Sequence, residues 1–216
     1  MLSIKSKHFI DAELPPAQRA LIPPALRRAY SAVEQVYQQE PLFAVESARI
    51  NKGHVIAWAV DQQIERLLTS QQLPYDYRWS PFERPTGKFL QIRLPASTLS
   101  VSQLPLPTDV PRHAHFRQNR ILSNTPFLDL DGFEEESEIS GLPHLILSHG
   151  YQDLSFAHVG VLHPEPQQFG WIYRTPNLLK EIHVVETEMP AEEAADAEAV
   201  VTLRDGIARW IHEQDR

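Results

Sequence analysis

Apolar residues recur at helical spacing in two stretches of the first third of the chain, and then the pattern changes to alternation. Leu26, Tyr30, Val33 and Tyr37 fall three or four residues apart and stop before Pro41. That spacing marks one face of a helix. Pro23 and Pro24 suit its first turn, where a missing N–H leaves no intrahelical partner unmet. Ile56, Val60, Ile64, Leu67 and Leu68 mark a second helix, preceded by Asn51-Lys52-Gly53. Both predicted helices are amphipathic, so each must bury a stripe against another element. The residues before Pro15 and Pro16 read as an irregular lead-in.

After Pro74 the period falls to two. Residues 89–94 and 98–104 alternate apolar with polar side chains, which predicts a hairpin with one wet face. A long stretch rich in turn formers follows, up to Gly141. Residues 143–164 then place two apolar runs around the turn-like Gly150-Tyr151-Gln152-Asp153, predicting a second hairpin. Residues 170–175 and 182–185 read as further short strands. Residues 186–199 read as an acidic linker. Thr202-Leu203-Arg204-Asp205 resembles a capping box opening a short helix to the end of the chain, with Leu203, Ile207, Trp210 and Ile211 on its apolar face. Helices, then consecutive strands, then one helix predict an α+β fold. Two N-terminal amphipathic helices would pack on a mainly antiparallel sheet, with a short C-terminal helix. Residues 1–185 would form one domain, and residues 200–216 the terminal helix.

Composition narrows the chemistry. The chain has no cysteine, which excludes disulfides, thiolate catalysis and Cys-ligated metals. No apolar run reaches the roughly 18–20 residues that span a bilayer, and the N-terminus lacks the apolar core of a signal peptide. The expectation is a soluble, cytoplasmic protein. The net charge of −8 is unevenly spread: residues 75–120 carry seven basic and three acidic groups, residues 121–216 five basic and eighteen acidic. An acidic half repels polyanions, so a nucleic-acid site would have to lie in residues 75–120.

Histidines supply the first candidate chemistry. His144, His149, His158 and His163 crowd the second predicted hairpin. With residues 150–153 as the loop, His149 and His158 share a face but stand about 13 Å apart, too far for one metal. A one-residue change in register makes His144 and His158 diagonal neighbours that could share a ligand. His113 and His115 form an H-x-H pair in the long connection, and Asp129 and Asp131 repeat that spacing. Two histidines and a carboxylate can hold a first-row divalent metal, whereas the bland reading is surface histidines beside Arg112, Arg117 and Arg120. Residues 127–132 locally resemble the first motif of haloacid-dehalogenase-type phosphatases. The antiparallel pattern that follows and the missing later acidic pair exclude that fold.

The second candidate is the interleaving of Tyr75, Tyr77, Trp79 and Phe82 with Arg78, Arg84, Lys88 and Arg93. Such a segment can cover a core with its aromatics, anchor a protein partner, or stack the bases of a single strand. Tyr77, Arg78, Trp79, Arg84, Lys88, Arg117 and Arg120 are the candidate contacts. No nucleophile elbow, phosphate loop or zinc-protease motif is present. The chain is therefore expected to be a regulatory or accessory protein that binds a protein partner. One alternative is a metal-dependent hydrolase or nuclease, with a divalent metal on His113, His115 and Asp129 or Asp131. The other is a non-catalytic single-strand binder. No cofactor is otherwise indicated.

Overall fold

The computed structural model describes residues 2–81, 87–111, 121, 124, 142–164, 170–181 and 199–205. Helices α1 (Leu2–Glu13), α2 (Pro16–Arg19), α3 (Ile22–Gln39), α4 (Glu46–Ile50) and α5 (Lys52–Thr69) come first, with a 3₁₀ turn at Pro41–Ala44. Strands β1 (Asp76–Pro81), β2 (Lys88–Arg93), β3 (Thr98–Leu104), β4 (His144–Gly150), β5 (Ala157–Leu162) and β6 (Trp171–Arg174) follow. Residues 199–205 form a final helix, α6. The architecture is α+β, as the pattern predicts.

The two long helices are those whose apolar spacing is regular. In α3, Ile22, Ala25, Leu26, Ala29, Val33 and Val36 are buried; in α5, Ile56, Val60, Ile64, Leu67 and Leu68 are. These stripes meet each other and one face of the sheet, where Leu90, Ile92, Leu99, Leu145, Leu147, Val159 and Val161 complete the main core. Each such side chain contributes roughly 1.5–3 kcal/mol when fully removed from water.

The lead-in is helical rather than irregular. The buried stripe of α1 is Ser6, Ile10 and Glu13, continued by Leu14. Two of these are polar, so the helical period is hidden in a reading of apolar residues alone. Glu13 ends in the core for a reason. Its carboxylate accepts the Ala96 N–H at 2.9 Å and the Ser97 hydroxyl at 2.6 Å, which fixes the link between β2 and β3 to the end of α1.

The strands lie side by side in sequence order, β1-β2-β3-β4-β5-β6. Every adjacent pair is antiparallel except β3 and β4, which run parallel and in register from Thr98↔His144 to Leu104↔Gly150. A parallel pair needs a crossover, and residues 105–143 make it. The predicted 89–104 hairpin is present as β2 and β3, but it has no wet face. Phe89, Leu90, Gln91 and Ile92 are all buried, as are Thr98, Leu99 and Ser100. The helices cover one side. On the other, Ile121, Ile146 and Leu162 form a second cluster with Val110 and Trp171. The buried Asn124 belongs to this side: its side chain accepts the His144 N–H at 2.8 Å and donates to the Leu162 carbonyl at 3.0 Å, clipping β4 to β5.

Residues 170–175 contain the predicted strand, as β6. Thr202 lies inside α6 and not at its N-terminus, so the capping-box reading does not hold; Ala199, Val200 and Leu203 enter the main core. Arg204 pairs with Glu40 at 2.7 Å, at the C-terminal end of α3. The predicted strand at 182–185 and most of the predicted acidic linker lie outside the described residues. No described helix is long and apolar enough to cross a membrane.

Candidate binding edge of the sheet

The histidine hairpin exists with a register that neither simple loop predicts. Leu145 faces Val161, Ser148 faces His158 and His149 faces Ala157. The connection is longer than four residues because 154–156 do not continue β5. Asn177 takes them instead: its side chain donates to the Ser155 carbonyl at 3.1 Å and accepts the Ala157 N–H at 3.0 Å, while Phe156 is buried. His149 and His158 therefore project to opposite faces. His144 and His158 share a face, but His144 stands level with Leu162, four residues from His158 and about 13 Å away along the strand.

Each of these rings already has a structural task. His144 is fully buried, with Nδ1 bonded to the Thr98 hydroxyl at 2.9 Å and Nε2 to the Ser100 hydroxyl at 3.0 Å, a clasp across the parallel pair. His158 Nδ1 donates to the Thr175 carbonyl at 2.8 Å. Desolvation lowers its pKa, and the Thr175 bond opposes that shift only in part. His149 lies on the helix side, 1 % exposed, with Nδ1 at 2.8 Å from the Tyr30 hydroxyl. Tyr30 has one hydroxyl proton and gives it to the Gly150 carbonyl, so the His149 Nδ1–H donates to Tyr30. Burial pushes the His149 pKa down to about 4. Burial likewise raises the Tyr30 phenol, aided by the charge of Asp153.

His113, His115, Asp129 and Asp131 lie outside the described residues, as do Arg84, Arg117 and Arg120. Among the described residues, no group of three or more His, Asp or Glu side chains is placed to hold a metal ion.

Within the aromatic and basic segment, residues 76–81 form β1, the edge strand of the sheet. Its period of two sorts the side chains. Tyr77 and Trp79 turn toward the helices, where Trp79 Nε1 donates to Glu65 at 2.7 Å and Tyr77 meets the Thr69 hydroxyl at 3.2 Å. Arg78 and Ser80 turn to the other face. There Arg78 Nε donates to Gln91 Oε1 at 3.1 Å, and the same oxygen accepts the Ser80 hydroxyl at 2.9 Å. Lys88 faces Pro81 at the far end of the pair.

On this second face, Asp76, Arg78, Gln91, Arg93, Thr98 and Leu142 line a groove of about 170 Å³. Arg78 faces Gln91 across the strands, and Arg93 stands two residues further along β2, opposite Asp76. Neither Arg78 nor Arg93 forms an ion pair among the described residues. Asp76, Gln91, Arg93 and Thr98 were not singled out by sequence as contacts. The one signal that could have found them is the alternation from Asp76 to Ser80, which a Pro-bounded polar strand shows only faintly.

β1 has a neighbour on one side only among the described residues. Such an edge presents a row of unpaired backbone N–H and C=O groups. Asp76, Arg78, Trp79 and Pro81 are exposed along it. The opposite edge, β6, is four residues long, and its pairing with β5 is irregular between Val161 and Leu162. It is a poorer template for a further strand.

No known protein family, curated protein or solved structure matches this chain.

Proposed function

We propose that this chain is a regulatory or accessory protein that binds a protein partner, capturing an extended segment of it as an additional strand along β1. The observation that carries the reading is the β1 edge, which has one strand neighbour among the described residues, beside a groove at the same end of the sheet. Strand addition draws its affinity from main-chain hydrogen bonds and its selectivity from pockets that receive alternate side chains. β1 supplies the first and the groove the second. Asp76, Arg78 and Pro81 disfavour indiscriminate edge pairing, so a partner must complement them.

The sorting of side chains along β1 favours a protein partner over single-stranded nucleic acid. Stacking platforms and phosphate-binding cations work together on one surface. Here Tyr77 and Trp79 lie on one face of the strand and Arg78 on the other, with both aromatics engaged by α5.

Selection from a displayed library of random peptides tests the reading. The expected binders alternate apolar and polar residues and, once bound, shift the backbone amide resonances of β1. Binders that instead perturb the exposed Leu42, Val45 and Ile50 around α4, or a library that yields no binder, would refute it.

A further inference from the structure

We infer that the groove beside β1 is a carboxylate site, which receives one aspartate or glutamate side chain of the added strand. The inference rests on the strand-addition reading and names the chemistry of the partner. Arg78 and Arg93 project from neighbouring strands onto the same face at diagonal positions, a separation of about 7–8 Å between backbones that long side chains span. Both arginines line the groove, and neither forms an ion pair among the described residues.

The partner of Arg78 on its own sheet is neutral. Gln91 is 6 % exposed, and its Oε1 holds Nε of Arg78 while accepting Ser80 as well. A buried amide orients the guanidinium through Nε without neutralising it, and among the described residues no hydrogen bond engages either Nη group. Arginine presents those donors in a planar fork that matches a carboxylate. Asp76 also lines the groove, so its three charged side chains sum to a single positive charge. That balance suits one carboxylate, not a doubly charged phosphate.

Register supplies the rest. A strand paired with β1 places every second side chain on the groove face, and the residue opposite Arg78 continues the row from Gln91 through Arg78. An acidic side chain at that position meets Arg78 directly; Arg93 lies one strand further in, about 12 Å away between backbones, and only its long side chain brings its charge to the same groove.

The test uses the full chain and a peptide selected for binding at β1, with glutamate, glutamine or phosphoserine at the position facing Arg78. Dissociation constants are measured for the wild type, Arg78→Gln and Arg93→Gln. Both arginines are exposed, and melting curves of each variant report that it is folded. The expected result is a loss of roughly ten- to hundredfold for the glutamine peptide, the energy scale of a charge-assisted hydrogen bond. Arg78→Gln should produce a similar loss with the glutamate peptide and little further loss with the glutamine one. Binding that is equal for glutamate and glutamine and indifferent to both arginine variants overturns the carboxylate site while leaving strand addition standing. Tighter binding of phosphoserine than of glutamate overturns the single-charge assignment. Failure of every peptide to bind overturns both readings together.

Discussion

His149 makes stability depend on pH in a way that one substitution can isolate. Its ring lies between α3 and β4, 1 % exposed, and its Nδ1–H is committed to Tyr30. An imidazolium there would be charged and without water. The native pKa of about 4 compares with 6.5 for an unperturbed histidine. Between those values the unfolded chain binds a proton that the native one refuses. Stability from this residue is therefore complete above pH 6.5 and falls as the pH drops toward 4. The difference of 2.5 pH units corresponds to about 3 kcal/mol at the acid limit, and to about 2 kcal/mol by pH 5. Urea unfolding of the wild type and of His149→Gln, followed by circular dichroism between pH 7.5 and 4.5, measures it. The variant carries a constant cost from the altered contact with Tyr30. Groups common to both proteins, including His158, cancel in the difference. The stability gap between wild type and variant should narrow by about 2 kcal/mol from pH 7.5 to pH 5. A gap that stays constant, or a His149 ring that titrates near 6.5 in the native protein, would refute the argument from burial.

Three further outcomes follow from packing and hydrogen bonding. Gly150→Ala should destabilise the fold by about 2–3 kcal/mol in urea unfolding, because a Cβ there would lie 1.9 Å from the Asp153 carbonyl oxygen, a backbone atom that cannot swing aside. Asn124→Ala should cost about 2–4 kcal/mol, since it leaves the His144 N–H and the Leu162 carbonyl unpaired in a buried setting; a loss below about 0.5 kcal/mol would mean that the clip is not needed. Glu13→Ala should cost a similar amount by orphaning the Ala96 N–H and the Ser97 hydroxyl, and Glu13→Gln, which keeps one acceptor, should cost less.

What the sequence discloses about this fold depends on whether a segment's burial is apolar and local. α3 and α5 are legible because aliphatic residues recur along most of their buried stripes at helical period. The β2–β3 hairpin is legible from its alternation. α1 is not, because Ser6 and Glu13 stand in its buried stripe and Glu13 is there for the sake of Ala96 and Ser97, far along the chain. β1 is obscured by its own position: an edge strand carries Asp76, Arg78 and Pro81, residues that a sheet interior would reject. The histidine register is fixed by Asn177, which no count of residues between two strands can anticipate. The parallel pairing of β3 with β4 likewise depends on where a long crossover delivers the chain.

The candidate site shares that partial legibility. Tyr77, Arg78, Trp79 and Lys88 stand out in the sequence as an aromatic and basic run, but which of them act together depends on β1 being a strand. Once it is, the aromatics leave for the helix side. Arg78 then lines one groove with Arg93, which the linear pattern had grouped with it only loosely.

Amide hydrogen exchange along β1 reports whether a bound segment adds to the sheet at that edge. With a selected peptide bound, amides within Asp76–Pro81 that exchange freely in the unbound protein should slow by at least about tenfold, while those of Trp171–Arg174 at the other edge should not change. Unchanged exchange in β1, or protection that appears at β6 instead, would contradict strand addition at β1.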